Sequence, residues 1–570
     1  MRSYHLSPFA TFVESHLLPA GPQYAVFHRL TGQMLEPEPA VRAFLQAAQM
    51  GSQLSLTPEQ FASLGQSGHQ IARLIELELL IPIGHDPLAS FVDYCVGRPL
   101  QNPAITFQNE QGEVLVVSTS MAERVYSPER GQLPEVLEKR LPELATALLL
   151  AADGTKTLAQ IHESLQRNSR PLLADQEFRD AIDFLSTPER QLIKFAPTPE
   201  GLANPFYPAN LVPRNFYHAS RWTERGTAKS IADFHVEGIE DAVWEFDVIE
   251  PTVNHGLRFP SSLLSGLDYG TRFCDALLEH NVFSGSKHGD KVEILEVGGG
   301  TGSFARSFIP RAQEKLGPIS YHIMDLSPAL TENQRRLLSD VEPPIGFINQ
   351  DATEFDLPGC KFDLIVSNEV IADFPVAAVE RRASGNSPAQ FNGDGAQYVK
   401  KYSLPVNDAP DYFYVNAGVF SFLERAWHHL NPGGALVLSE YGSTSRYPVE
   451  SFHLNHPEFT IHFGHVSECA RRIGFECQLH SLMDFLGIDE RRTVLSGREE
   501  HILCLNHVFE KLGTTLPFAL FSEENFKLRY AELAARLKVS PIRFLPLLSH
   551  FHYGPNLDDF LVLGLSKPRP

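Results

Sequence analysis

The chain has 570 residues, 43% of them hydrophobic, which is enough to bury more than one core and makes several compact units the default. A formal charge of −21 argues against nucleic acid as the main partner, since phosphate binding needs a basic face, and favours a cationic substrate. No apolar run approaches the roughly 18 residues of a membrane span, the N-terminus has no hydrophobic signal core, and six dispersed cysteines lack a Cys-x-x-Cys pair, so a soluble, cytoplasmic protein without a membrane partner is expected.

In chain order, Tyr24-Ala25-Val26-Phe27 and a turn at Thr31-Gly32 predict a hairpin, followed by amphipathic segments near Ala40 to Ala48 and from Ile71 to Ile81. The pattern recurs with Ala104-Ile105-Thr106-Phe107, a turn at Glu110-Gln111-Gly112, a strand from Glu113 to Ser118 and an apolar helix from Leu144. A duplicated α+β module is the reading, one copy over 1–100 and the other over 101–205. Leu150 to Leu165, with Asp153-Gly154-Thr155-Lys156-Thr157 before an amphipathic helix, resembles the PqqD-type winged-helix domains with which peptide-modifying enzymes hold a leader peptide. That resemblance implies winged-helix-like modules that grip a peptide by adding it as a strand to a sheet edge, as in the biosynthesis of ribosomally made, modified peptides. The alternative is a helical lid or a dimerisation domain. Pro197, Pro199, Pro205, Pro208 and Pro213 mark a linker with a boundary near 205, and 206–290 reads as a helical segment before the core.

The core begins with the apolar run Val292 to Val297, which contains Glu296 and continues into Gly298, Gly299, Gly300, Thr301 and Gly302, then a helix from Phe304 to Lys315. A buried parallel strand ending on glycines lets a ligand lie against bare backbone, although such loops also serve as plain tight turns. Serine at 303 breaks the dinucleotide fingerprint Gly-x-Gly-x-x-Gly. A second strand, Ser320 to Met324, ends in Asp325, 23 residues beyond Gly302, where doubly wound folds place a ribose-binding acid. Ser327 before Pro328 caps the next helix, 329–338. A third strand, Ile345 to Asn349, leads to Gln350-Asp351-Ala352, and a fourth, Phe362 to Ser367, delivers Asn368-Glu369-Val370-Ile371-Ala372-Asp373-Phe374-Pro375. Arg381 to Pro410 reads as a loop. A fifth strand, Ala435 to Ser439, follows the turn Asn431-Pro432-Gly433-Gly434 and ends in Glu440-Tyr441-Gly442, and Phe560 to Leu565 closes the sheet.

The Glu-x-Gly-x-Gly-x-Gly loop resembles motif I of class I S-adenosylmethionine (SAM) methyltransferases. Asn-Glu-x-x-x-Asp-x-Pro resembles the Asn-Glu-x-x-Asp-Ala-x-Pro signature of MidA-like methyltransferases, the family of the mitochondrial complex I assembly factor that methylates a protein arginine. Here the aspartate stands one position later. Glu440-Tyr441-Gly442 resembles that family's Asp-Tyr-Gly, Asp484 to Arg491 a shortened Phe-Leu-x-x-x-Gly-Ile-x-x-Arg, and His465-Val466 part of its Thr-x-His-Val segment.

These likenesses imply an α/β fold with a Rossmann-like, seven-stranded, mostly parallel sheet over 291–570, with insertions near 380–412 and 485–555. SAM is the cofactor implied. Glu296 would meet its methionine end, Gly298, Gly299, Gly300 and Gly302 would pack beneath it, and Asp325 with Leu326 would meet the ribose. Asp351 with Ala352 would serve the adenine, and Asn368 would join the cofactor site. Arginine in a protein or peptide is the implied acceptor, its guanidinium matched by the acids Glu369, Asp373 and Glu440. Each acid has a structural alternative: Glu369 could hold a loop amide, Asp373 cap a helix, and Glu440 sit at the surface. His462 or His465 would line the pocket or relay a proton. Thr252 to Pro260, just before the core, would close over the cofactor as the pre-core region does in that family, and Arg258 within it would neutralise the SAM carboxylate or lie at the surface. No metal is expected despite recurring histidines at 453, 456, 462 and 465, because no cysteine or clustered acid completes a site. A small natural product as acceptor, or a non-catalytic SAM-binding scaffold, are the alternative functions, and a homodimer is among the expected states.

Overall fold

The computed structural model describes residues 2–7, 10–15, 23–28, 34–35, 37–39, 41–43, 45, 54–56, 66–77, 79–82, 98–101, 104–108, 114–119, 136–152, 156–168, 175–186, 193–196, 235–236, 239, 252–284, 291–382, 390–453, 456–497, 499–531, 542, 544–548, 553–554 and 556–569. The turns expected at Thr31-Gly32 and 110–112, the segment Asp153-Gly154-Thr155 and the proline linker 197–215 lie outside these. The chain divides into two units: Met1–Trp222 with Arg498–Leu516 and Tyr530–Arg543, and Thr223–Gly497 with Pro517–Arg529 and Phe544–Pro570. The pre-core segment from 223 therefore groups with the core, and part of the late insertion groups with the front half.

In the first unit the same plan appears twice. Strand Arg2–Leu6 precedes the hairpin Ala10–Ser15/Gln23–His28, and after helix Gln66–Glu76 the chain returns as Leu80–Pro82, antiparallel to the opening strand. Strand Arg98–Gln101 likewise precedes the hairpin Ala104–Gln108/Val114–Thr119. After helices Glu143–Ala151, Leu158–Asn168 and Asp175–Ser186 the strand Ile193–Ala196 returns to pair with it. Each copy closes over its own apolar cluster, around Val26, Ile71 and Leu74 in one and Leu148, Ile161 and Ile182 in the other. Helix Glu499–Lys511, far along the chain, packs on the second copy's sheet, where His507 Nε2 lies 2.8 Å from Glu138 Oε2.

The second unit is a twisted sheet with helices on both faces. Its strands are β1 (Val292–Val297), β2 (Ile319–Asp325), β3 (Gly346–Asn349), β4 (Phe362–Asn368), β5 (Leu430–Ser443), β6 (Glu476–Ser481) and β7 (Phe560–Ser566). They lie in the order β3-β2-β1-β4-β5-β7-β6, parallel throughout except for β7, which is antiparallel to both neighbours. A short eighth strand, Ile461–His462, pairs with the end of β5. Because side chains alternate across a strand, Ile294, Leu364 and Val437 feed one apolar layer while Leu295, Ile365 and Leu436 feed the other. The order reverses between β1 and β4, so their carboxyl ends open a crevice there. The helices that position it are α1 (Val253–Gly256), α2 (Tyr269–Glu279), α3 (Ser303–Leu316) and α4 (Pro328–Leu337).

Three expectations change in detail. The Asn431–Gly434 turn lies within β5 as a bulge, since pairing with β4 slips between Phe362↔Leu430 and Leu364↔Ala435. The stretch read as a loop from Arg381 to Pro410 holds regular structure: Ala377–Arg382 pairs with Gln390–Asn392 on one side and Tyr412–Val415 on the other, followed by helix Ala396–Tyr402. Its polar composition belongs to exposed positions, while Val399, Tyr402, Leu404 and Val406 face inward. The sheet's fifth strand also runs on past Ser439 to Ser443.

Candidate functional site: a cleft at the carboxyl ends of β1 and β4

The loop after β1 is shaped by its glycines. Gly298 adopts φ +71°, and a Cβ there would stand 2.2 Å from Val370 Cγ2, so only glycine lets β1 and the turn after β4 approach this closely. Helix α4 holds the loop from behind: Gln334 Nε2 donates to the Gly300 carbonyl at 2.9 Å and Asn333 Nδ2 to the Thr301 carbonyl at 3.3 Å. Gly298, Gly299 and Gly300 line the cleft, whereas Gly302 does not; it stands at the N-cap of α3 with φ +92° and lets the helix start under the loop.

Glu296, Asp325, Leu326, Asp351 and Ala352 line the cleft as well. Glu296 is buried, accepts from the Tyr321 hydroxyl at 3.0 Å, and burial pushes its carboxyl up to about 8. Asp325, also raised by burial, accepts from the Ser327 amide at 2.9 Å and from Gln334 Nε2 at 2.8 Å. Ser327 caps α4 by accepting from Leu330 N, as read from Ser-Pro. Asp351 bonds Thr353 through Oδ1 alone, at 2.7 Å to both the amide and the hydroxyl.

The acids expected to meet an acceptor differ from one another. Asp373 ends the 3-10 turn Ile371–Asp373 on the cleft wall; its Oδ2 lies 3.4 Å from His235 Nε2, and its buried Oδ1 has no hydrogen-bond partner among the described residues. Glu369 lines the cleft too, but its Oε2 accepts from the Val253 amide at 2.8 Å and its Oε1 from the Asn254 amide at 3.4 Å, which is the loop-holding alternative. Asn368 is held at both ends, accepting from the Tyr269 hydroxyl at 2.7 Å and donating to Glu369 Oε1 at 3.1 Å.

Glu440 is not at the strand end and does not line the cleft, because β5 continues past it. It is buried and accepts from Ala372 N at 3.3 Å and Tyr441 N at 2.8 Å, so it supports the turn that carries Asp373. Burial, with the charges of Glu369 and Asp373 adding to it, pushes its carboxyl up to about 8. His465 is also away from the cleft. It lies on the inward face of helix Phe463–Ile473, stacked on His462 with centroids 3.7 Å apart and with Nε2 2.9 Å from the Pro405 carbonyl. Burial lowers both imidazoles, to about 4 for His462. Arg258 lies against Phe259 and is not among the lining residues.

Thr252, Asn254 and His255, in the stretch expected to close over the cofactor, line the cleft, whereas sequence reading missed His235, which lines it from 63 residues before Gly298, and Tyr269, which orients Asn368. Thr252 caps α1, its hydroxyl accepting from His255 N.

Residues 277–456 match the model of a family described as putative S-adenosyl-L-methionine-dependent methyltransferases. The match takes in the glycine loop, Asp325, Asp351 and the turn that carries Glu369 and Asp373. The cofactor of that family is SAM, and Glu296, Gly298, Gly299, Gly300, Asp325 and Asp351 line the cleft. The chain is similar to a likely methyl transferase from Burkholderia thailandensis solved with S-adenosyl-homocysteine: 15% identity over 60% of this chain and 88% of that one, TM-score 0.31. It is also similar to a phosphoethanolamine N-methyltransferase 2 from Haemonchus contortus (15%, 52% of each chain, TM-score 0.26), of which it spans about half the length. A third similar structure is a TehB-like SAM-dependent methyltransferase from Corynebacterium glutamicum (18%, 38% of this chain and 79% of that one, TM-score 0.21). No curated protein matches the chain.

Proposed function

We propose that this methyltransferase transfers the SAM methyl group to a cationic nitrogen, an arginine of a protein or peptide, with Asp373 as the group that meets it. The observation that carries this reading is the convergence of Glu369, Asp373 and Glu440 around one turn, with a buried Asp373 oxygen that nothing else among the described residues engages. In-line displacement at the sulfonium carbon asks the protein to align nucleophile and methyl and to balance charge. A guanidinium must also lose a proton as the new bond forms, and a carboxylate oxygen at the cleft wall is suited to take it. Incubation with methyl-labelled SAM and a lysate or arginine peptides, then mass spectrometry of what gains label, tests the proposal; label on a small metabolite alone refutes it.

In this reading the duplicated modules of the first unit grip the peptide, in a protein that works in the cytoplasm; among the described residues no helix is long and apolar enough to cross a membrane. Deleting residues 1–200 is a poor test, because it strips helix Glu499–Lys511 of the sheet it packs on and uncovers Leu505, Val508 and Phe509. Charge and bulk changes on the exposed face of the full chain test it better.

Glu296 gives a pH prediction. Its carboxyl is raised from the ordinary range to about 8, so the neutral form favours the fold: that contribution is complete below about 4.5 and is lost as pH rises through about 8. The cationic methionine end of SAM needs the anion. SAM affinity in calorimetry should therefore rise between pH 7 and 9, with proton release on binding. Glu296→Gln should flatten that rise and lift the unliganded melting temperature at pH 9 by about 5 °C. A pH-independent SAM affinity in the unmodified protein excludes the pairing.

A further inference from the structure

We infer that Glu369 is a positioning residue that ties a strap, residues 252–258, over the cofactor cleft and sets how tightly SAM is retained. The inference goes beyond the acceptor reading and depends only on the cleft being the SAM seat. Three observations carry it. First, both carboxylate oxygens of Glu369 are taken by backbone amides of α1, the 2.8 Å bond to Val253 and the 3.4 Å bond to Asn254, across 116 and 115 residues of chain. An anion at the first amides of a helical turn satisfies donors that have no partner within the turn. Second, the strap is fixed at its other side to the cofactor loop's helix, since Asn254 Nδ2 donates to Ser303 Oγ at 2.6 Å, while Thr252, Asn254 and His255 form part of the cleft lining. Third, Glu369 itself sits at φ +54°, a left-handed backbone conformation that is strained for a non-glycine residue. Its amide is fixed to the Ser439 carbonyl at 2.8 Å, and its side chain is steadied by Asn368, which Tyr269 holds in turn. Strain that persists at a cleft, in a residue whose amide is held by β5 and whose side chain is steadied from β4, points to a task that glycine could not perform.

The task is retention. Thr252, Asn254 and His255 reach the cleft only while the turn stays seated, and among the described contacts the Glu369 carboxylate is the bond between the strap's backbone and the end of β4. The test uses Glu369→Gly and Glu369→Ala in the full chain. Glycine relieves the backbone strain, so a folding defect cannot stand in for the effect, and its melting temperature should stay within a few degrees of the unmodified protein. In both variants the SAM Kd should rise at least tenfold, bound methyl-labelled SAM should leave faster in a chase with unlabelled SAM, and hydrogen exchange at the Val253 and Asn254 amides should accelerate at least tenfold. Glu369→Gln keeps one carbonyl oxygen for Val253 and should fall between. Unchanged amide exchange in Glu369→Gly overturns the anchor; faster exchange with unaltered SAM retention overturns its role in holding the cofactor. If the anchor holds while no arginine peptide is methylated, the acceptor reading fails alone.

Discussion

Gly300→Val should abolish SAM binding and leave the fold nearly intact. At Gly300 the backbone turns through φ +50°, and a Cβ would meet nothing within 4 Å, because the position faces the open cleft rather than packed protein. A valine there pays left-handed strain of about 1–2 kcal/mol, and its two methyl groups stand where the cofactor must lie. The expected Kd increase is at least 100-fold, about 2.7 kcal/mol, measured by calorimetry with SAM or its demethylated product. Gly298→Ala behaves differently. Its Cβ would collide with Val370 at 2.2 Å, so that variant should melt early as well as bind poorly. Near-normal SAM affinity in Gly300→Val would remove the loop from the cofactor site.

Asp373→Asn should slow methyl transfer by 100-fold or more, the usual scale for loss of a proton acceptor, and leave the SAM Kd within about threefold. Asparagine preserves the size of the side chain and can still face His235 Nε2, but its unpartnered atom becomes either an amide NH2 or a weaker carbonyl acceptor, and the negative charge opposite the guanidinium is gone. The readout is the single-turnover rate on the acceptor found by methyl labelling, compared with SAM binding on the same preparation. An undiminished rate would assign the proton to another group. Glu440→Gln gives a contrasting expectation: it sits beneath the turn, so its effect should appear first as a shift in the stability of the Ile371–Asp373 segment.

Much of the core was legible because its signals are local. Each strand of the parallel sheet is a short apolar run, and Val292–Val297, Ile319–Asp325 and Phe362–Asn368 fall within one residue of the expected bounds at nearly every end. Ser327-Pro328 marked a helix start that the fold uses. The loop at Arg381 to Pro410 was misread because exposed polar residues dominate its composition, while the few inward side chains that make it a small sheet are too sparse to show a period. Glu440 was misplaced because nothing local indicates that β5 continues through Glu440-Tyr441-Gly442 to pair with Ile461–His462.

By itself, the sequence determined the parallel sheet, the bare glycine loop and the acids that follow its strands, because apolar runs and glycine spacing act within a few residues of chain. Tertiary structure decided what those acids do. Glu369 meets the amides of Val253 and Asn254, Asp373 meets His235, and Glu440 faces inward. Those outcomes depend on partners brought from more than 60 residues away, and a hydrogen bond closed across that length of chain leaves no periodicity for the sequence to show.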